Sequence, residues 1–124
     1  MKGKKNILII EDEIFLSRVL RDKLVNNGFD VVVAEDGVKG LKKVSKGGID
    51  LILLDILMPK MDGMEVLKKL RDGNKIKIPV MVLTNLGAEN YAELALKNGA
   101  DDYLIKSNNS LDDILKKINK ILKI

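Results

Sequence analysis

The stretch LILLDILMPKMDG, residues 51–63, decides the fold. Four apolar residues lead to Asp55, and Pro59 ends the apolar run that follows it. A short apolar run without polar alternation is typical of a strand that is covered on both faces of a parallel sheet. Ligands of open α/β sheets gather at the carboxyl ends of such strands. The stretch therefore predicts a central strand with Asp55 at its functional end.

Four more short apolar runs surround this strand, at residues 7–10, 31–34, 80–83 and 103–105. Segments of helical character separate them, and in the last one the apolar residues repeat along one helix face. Ser110 and Asp113 resemble a capping box at its start, and Asn27-Gly28 and Asn98-Gly99 resemble helix ends. Strands that alternate with helices predict an α/β fold, with a doubly wound parallel sheet of five strands and five helices.

Composition limits the classes of protein that the sequence could represent. The 124 residues suit one domain, residues 1–124, and 46% hydrophobic with 32% charged residues is ordinary for a soluble globular protein. We recognise neither a signal peptide nor an apolar run of the ~20 residues that cross a membrane, so we expect a cytoplasmic protein without membrane contact. The absence of cysteine and histidine excludes disulfides, thiolate or imidazole metal sites and histidine-based catalysis.

The net charge of +4 raises the question of nucleic-acid binding. The lysines are spread along the chain, and aromatic residues make up only 3%, too few for a base-stacking platform. We therefore expect a solvated basic surface, and no nucleic-acid partner for this domain alone.

Polar residues follow the predicted strands at one edge of the sheet. Glu11 and Asp12 follow the first strand, Asp55 the third, Thr84 the fourth and Lys106 the fifth. Three converging carboxylates repel one another, and Mg²⁺, which prefers oxygen ligands, would relieve this repulsion. A strand-end aspartate alone is usually a turn former or helix cap, and the other residues have equally ordinary explanations. The set as a whole favours a site that holds a phosphoryl group on a carboxylate.

The sequence resembles the receiver domain of two-component response regulators along essentially its whole length. The matching segments are ILIIEDE (residues 7–13), LILLDILMPKMDG (51–63), PVMVLTN (79–85) and GADDYLIKS (99–107). The resemblance implies a flavodoxin-like sheet of order 2-1-3-4-5, an order for which this family is a standard example. It also implies a phosphorylation-dependent signalling switch, not an enzyme beyond self-catalysed phosphotransfer and slow self-dephosphorylation.

The resemblance assigns a role to each matching residue at the site. Asp55 would accept a phosphoryl group from a phosphohistidine on a sensor histidine kinase or phosphotransfer protein. Glu11, Asp12, Asp55 and the backbone carbonyl of Leu57 would hold Mg²⁺. Lys106 would pair with the phosphoryl oxygens.

The resemblance also implies a conformational switch. Thr84 would be drawn toward the phosphoryl group, and Tyr103 would swing into the space that Thr84 leaves. This would remodel the surface of helix 4, strand 5 and helix 5, which the family commonly uses for homodimers or effectors. The candidate surface residues here are Tyr91, Lys97, Asp101, Asp102 and Lys117. Pro59, Asp62 and Gly63 would shape the loop behind the acceptor.

Several residues depart from the family pattern or modify it. Glu11 stands where aspartate is more common, Asn85 is larger than the usual residue after the threonine, and Ser107 replaces a proline whose bond is typically cis. Either isomer of the Lys106–Ser107 bond is therefore open. The resemblance implies that Leu57 and Leu86 border the path of an attacking water, and because neither side chain can form a hydrogen bond with it, we expect slow self-dephosphorylation.

The start of the first helix suggests where a kinase docks. Ile14, Phe15 and Leu16 are consecutive, and at about 100° per residue they cannot all face the core. We expect at least one of them to be exposed beside the site, and Phe15 is the candidate.

Two alternatives remain in competition with a switch domain. A hydrolase of the haloacid-dehalogenase type would carry an acid two residues after its nucleophile, where this chain has Leu57. A degenerate receiver that only binds partners would not need the intact Asp12, Asp55, Thr84 and Lys106. Dinucleotide or P-loop folds are disfavoured because their glycine-rich motifs are absent.

The sequence names no kinase, pathway or output partner. No effector domain is visible in these 124 residues, so we expect either a stand-alone regulator or a domain of a longer protein.

Overall fold

The computed structural model describes residues 3–74, 76–85 and 89–124. Strands and helices alternate along the chain, and two 3₁₀ turns follow α3 and β5 at Asp72–Asn74 and Lys106–Asn108. The strands are β1 Asn6–Ile10, β2 Asp30–Ala34, β3 Leu51–Leu54, β4 Val80–Thr84 and β5 Asp102–Ile105. The helices are α1 Ile14–Asn26, α2 Gly37–Ser45, α3 Gly63–Arg71, α4 Glu89–Lys97 and α5 Leu111–Leu122.

The strands form one parallel sheet of order β2-β1-β3-β4-β5. This confirms the predicted fold class, strand order and number of helices. β4 includes Thr84, and β5 begins one residue earlier than the apolar run suggested, at Asp102. Ile10 pairs with Leu54, and Leu54 pairs with Val82, so the central strands end at nearly the same level. The residues that follow them therefore meet at one edge.

The two faces of the sheet bury alternate side chains of each central strand. Ile7 and Ile9 pack with buried residues of α1 and α5, whereas Leu8 and Ile10 pack with those of α2, α3 and α4. Because both faces are covered, the strands show no polar alternation in the sequence.

Local capping fixes where the helices begin. Ser110 and Asp113 form the predicted capping box, with Ser110 Oγ accepting from the Asp113 N–H at 3.1 Å and Asp113 accepting from the Ser110 N–H at 2.9 Å. Asp36 and Asp62 cap α2 and α3 by accepting backbone N–H bonds at 2.8 and 3.0 Å.

The predicted helix ends are also confirmed. Gly28 and Gly99 follow α1 and α4 with φ angles of 93° and 103°, in the left-handed region that glycine adopts without steric cost. The bond between Lys106 and Ser107, for which the sequence left both isomers open, is trans. Within the described ranges, no helix has the length and apolar character needed to cross a membrane.

Candidate functional site

Three carboxylates meet at the carboxyl edge of the two central strands. One oxygen each from Glu11, Asp12 and Asp55 lies within 4.8 Å of the others. Glu11 and Asp55 are buried, with 5% and 6% exposure. Their backbones extend the sheet, since the Glu11 N–H donates to the Ala34 carbonyl at 3.0 Å and the Asp55 N–H donates to the Ile10 carbonyl at 3.1 Å. The sheet therefore fixes both acids in place.

Lys106 bridges the two buried acids from the end of β5. Its ammonium group donates to the Glu11 carboxylate and, at 3.3 Å, to Asp55 Oδ2. The lysine side chain is itself only 10% exposed. The sequence placed Lys106 at this edge but did not predict its pairing with Glu11. The only available signal was that an acid and a lysine follow different strands of the same sheet.

The charges at this edge are not balanced. The pKa of Glu11 is raised to about 8, chiefly because the carboxyl is buried and also because Asp55 is close, while Lys106 acts in the opposite direction. One buried ammonium thus faces two buried carboxylates and the partly exposed Asp12. The donors are all hard oxygens within reach of one small cation, so the residues present fit Mg²⁺.

The loop after Asp55 contacts the Asp55 carboxylate through its backbone. The Leu57 N–H donates to Asp55 Oδ1 at 3.3 Å, and the Gly63 N–H donates to the Ile56 carbonyl at 2.9 Å. The Leu57 side chain is 57% exposed, so it lies at the surface, two residues after Asp55, and not in the core. Leu86, which together with Leu57 predicts slow self-dephosphorylation, lies outside the described residues.

Thr84 and Tyr103 lie on neighbouring strands beside the acids. Thr84 is fully buried at the end of β4 and pairs with Ile105, while Tyr103 pairs with Val82 two residues earlier along the strand. Tyr103 is half-buried against the core. Burial raises the pKa of its phenol, and the charge of Asp55 adds to this effect.

The start of α1 is exposed beside the same edge. Phe15 is 82% exposed and Ile14 is 64% exposed, which confirms the expectation for this segment. The structure also shows a hydrogen bond that the sequence did not predict. The Glu13 N–H donates to the second carboxylate oxygen of Glu11 at 3.3 Å. Asp36, a strand-end acid of the second strand, caps α2.

Comparisons with known proteins agree with this geometry. The family model described as "Response regulator receiver domain" matches residues 7–119. The alkaline phosphatase synthesis transcriptional regulatory protein PhoP of Bacillus subtilis is 42% identical over 102 residues, which cover 82% of this chain and 42% of that protein. The transcriptional regulatory protein CpxR of Escherichia coli is 40% identical over 117 residues, 94% of this chain and 49% of that protein. The chain thus spans less than half the length of these two relatives.

Solved structures show the same fold over nearly the whole chain. The receiver domain of the Francisella response regulator 1452 superposes with a TM-score of 0.90 and 33% identity, covering 97% of this chain and 98% of that one. The chemotaxis protein CheY4 of Vibrio cholerae superposes with a TM-score of 0.88 and 27% identity, covering 96% and 99%. With five parallel strands in the same order and an acidic edge at their carboxyl ends, the chain belongs to the family of response regulator receiver domains.

Proposed function

We propose that residues 1–124 form a signalling switch in which Asp55 accepts a phosphoryl group from a phosphohistidine on a sensor histidine kinase or phosphotransfer protein. An Asp55 oxygen attacks the phosphorus, the phosphorus–nitrogen bond breaks, and the donor histidine leaves with the electron pair and takes up a proton. One observation carries the proposal: the Lys106 ammonium contacts both Glu11 and Asp55 where Asp12 also converges.

Asp12, Asp55, Glu11 and the Leu57 carbonyl are the groups that would hold Mg²⁺. When bound, the ion would neutralise the charge on the phosphoryl oxygens during transfer. The convergence of three carboxylates supports this assignment, because it places oxygen ligands within reach of one cation.

Lys106 can pair with the negative charge at Asp55 both before and after phosphoryl transfer. Before transfer its ammonium contacts the Asp55 carboxylate, and after transfer the same group can pair with a phosphoryl oxygen at that position. Glu11, its second partner, holds the ammonium at the site in both states.

The conformational change would pass from the site to the surface through Thr84 of β4 and Tyr103 of β5. The Thr84 hydroxyl would bond a phosphoryl oxygen, and Tyr103 would move further into the core as Thr84 shifts. This would alter the α4–β5–α5 surface, which we propose as the site of homodimerisation or effector binding. The half-burial of Tyr103 supports the idea, since the ring is already partly in the core.

The domain is proposed to act in the cytoplasm as a phosphoacceptor, not as a metabolic enzyme. Its own chemistry would be limited to assisting transfer to Asp55 and to slow loss of the phosphoryl group. The exposed apolar side chain of Leu57 supports slow loss, because it offers no hydrogen bond to an incoming water.

Intact mass spectrometry tests the proposal. Treatment with acetyl phosphate and Mg²⁺ should add the mass of one phosphoryl group to the wild type and none to Asp55→Asn. Asp62→Asn is a matched control, because asparagine also caps a helix and Asp62 lies outside the acidic cluster. Equal labelling of wild type and Asp55→Asn would contradict the proposal.

A further inference from the structure

A groove runs along the open β2 edge of the sheet, opposite the β5 edge. It has a volume of about 590 Å³, and Val33 and Ala34 of β2 form its floor. α1 and α2 border it from the two faces of the sheet, because α1 packs on one face and α2 on the other. The site proposed above touches this groove only through Glu11.

The groove holds the net positive charge of the whole protein. Six cations line it, together with two carboxylates, Glu11 and Glu35, which leaves a net +4. The whole chain has 22 cations, 18 acids and a formal net charge of +4, so outside the groove 16 cations are matched by 16 acids. The cations are Arg18, Arg21, Lys39, Lys42, Lys43 and Lys46.

Most of these cations have no counter-charge of their own. Lys39 pairs with Glu35, and Arg21 contacts Asp22 at 3.2 Å. Within the part of the chain that the structure describes, the other four form no ion pair with a carboxylate. Cations grouped without partners repel one another, so an anionic ligand would gain from every one of them.

The floor of the groove is an unpaired strand edge. β2 pairs with β1 on one side: the Asp30 N–H donates to the carbonyl of Lys5, the residue before β1, and the Ala34 carbonyl accepts from the N–H of Glu11, the residue after it. Backbone groups of successive strand residues point to opposite sides, so those of Val31 and Val33 point outward from the sheet, and Val33 lies in the groove lining. Such an edge can accept a further strand from another chain.

We propose that the β2 edge binds an extended acidic segment of a partner protein, which pairs with Val31 and Val33 while its carboxylates contact the cations on both walls. Alternate side chains of a strand point to opposite faces of a sheet. Acidic residues of the added segment would thus meet Arg18 and Arg21 on one face and Lys42, Lys43 and Lys46 on the other.

The composition of the groove favours a peptide over a nucleotide or nucleic acid. None of the described residues that line it is aromatic or glycine, so the lining offers neither a stacking platform nor a glycine-rich phosphate loop. The four lysines from Lys39 to Lys46 extend about 10 Å along α2 and the residue after it. This length equals about three residues of an extended peptide.

A fluorescent peptide of about eight residues, rich in glutamate and valine, provides the probe for anisotropy titrations. Binding should weaken roughly tenfold for the triple variant Lys42→Gln, Lys43→Gln and Lys46→Gln. The control triple Lys68→Gln, Lys69→Gln and Lys116→Gln removes the same charge from exposed positions outside the groove, and should change the affinity less than about twofold. Circular dichroism melts confirm that each variant is folded.

Two matched probes separate the backbone and charge contributions. A peptide with N-methyl groups on alternate amides keeps its charge but cannot pair with a strand edge, so it should bind roughly tenfold more weakly. Amide hydrogen exchange at Val31 and Val33 should slow when the unmodified peptide binds. Equal affinity of both peptides, equal losses in both triple variants, or tighter binding of a single-stranded oligonucleotide of the same charge would each overturn the proposal.

Discussion

Gly63, the first residue of α3, packs against the backbone of Asp55. A Cβ atom at position 63 would lie 2.2 Å from the Asp55 carbonyl oxygen and 2.7 Å from the Ile56 Cα. Both atoms belong to backbone that is continuous with the central strand, so neither can rotate away. The start of α3 therefore rests directly on the residue proposed as the phosphoacceptor, which explains the glycine that closes the motif of residues 51–63.

Gly63→Ala should destabilise the fold and disturb the acceptor. Overpacking against rigid backbone costs about 1–3 kcal/mol, which corresponds to a fall in melting temperature of roughly 4–12 °C for a domain of this size. Gly3→Ala is the control, because nothing lies within 4 Å of a Cβ there. Thermal melts of both variants check the prediction, and equal melting temperatures would contradict it.

The raised pKa of Glu11 should appear as a pH-dependent stability. The folded pKa of about 8 exceeds the ordinary value of 4.5, so between these values the folded state holds a proton that the unfolded state releases. The contribution of Glu11 is then fully present below about pH 4.5 and is lost as the pH rises through about 8.

Urea unfolding in EDTA at several pH values measures this effect. The stability of the wild type relative to Glu11→Gln should fall as the pH rises from about 5 to about 8. Added Mg²⁺ should flatten the decline, because the ion favours the ionised carboxylate. Parallel stability curves for the two proteins in EDTA would show that Glu11 keeps an ordinary pKa.

Mg²⁺ itself should raise the melting temperature of the wild type. A ligand that binds only the folded state stabilises it by mass action, by about 2.7 kcal/mol at a hundred times its Kd. Asp12→Ala should lose most of this response, since Asp12 is the acid of the cluster that is not buried. Asp22→Ala, on the outer surface of α1, is the control and should respond as the wild type does. An undiminished response in Asp12→Ala would refute the assignment.

Leu57 should lengthen the life of the phosphorylated state. Its side chain is exposed two residues after Asp55, and an asparagine at this position could orient the attacking water. Decay of the phosphorylated protein should be roughly fivefold faster in Leu57→Asn, and faster still when Leu86→Glu is added. Decay is followed by intact mass with and without EDTA, and the exposed Leu96→Asn serves as a control for added polarity. A double variant that decays no faster than the wild type would exclude these leucines as the cause.

Thr84 and Tyr103 should couple the site to the α4–β5–α5 surface. Thr84→Ala should still accept a phosphoryl group on Asp55 but should lose the accompanying change around Tyr103. The amide NMR shifts of residues 102–105 and 111–117, compared before and after phosphorylation, report this change. Full shifts in Thr84→Ala would mean that the threonine does not transmit the signal.

Much of the fold follows from local sequence patterns. The apolar run at residues 51–54 predicts a strand because both of its faces are covered, and Ser110 with Asp113 predicts a helix start because the cap is local. Phe15 is exposed because three consecutive apolar residues exceed the width of one buried stripe. The convergence of Glu11, Asp12 and Asp55 follows from the parallel order of the strands.

Other features depend on contacts between distant segments. The pairing of Lys106 with Glu11 joins residues 95 positions apart, and nothing local to either residue specifies it. The β2-edge groove combines arginines of α1 with lysines of α2, which appear in the sequence as two ordinary solvated helix faces. Only the packing of both helices around one strand edge makes them neighbours.

The most direct test of the central claim is to locate the modified residue. After phosphorylation with acetyl phosphate and Mg²⁺, borohydride reduction converts an aspartyl phosphate to homoserine, which peptide mass spectrometry places at one position. The account predicts homoserine at Asp55, with none at Asp12 or Asp36 and none when Mg²⁺ is chelated. Homoserine at another aspartate, with Asp55 intact, would contradict it.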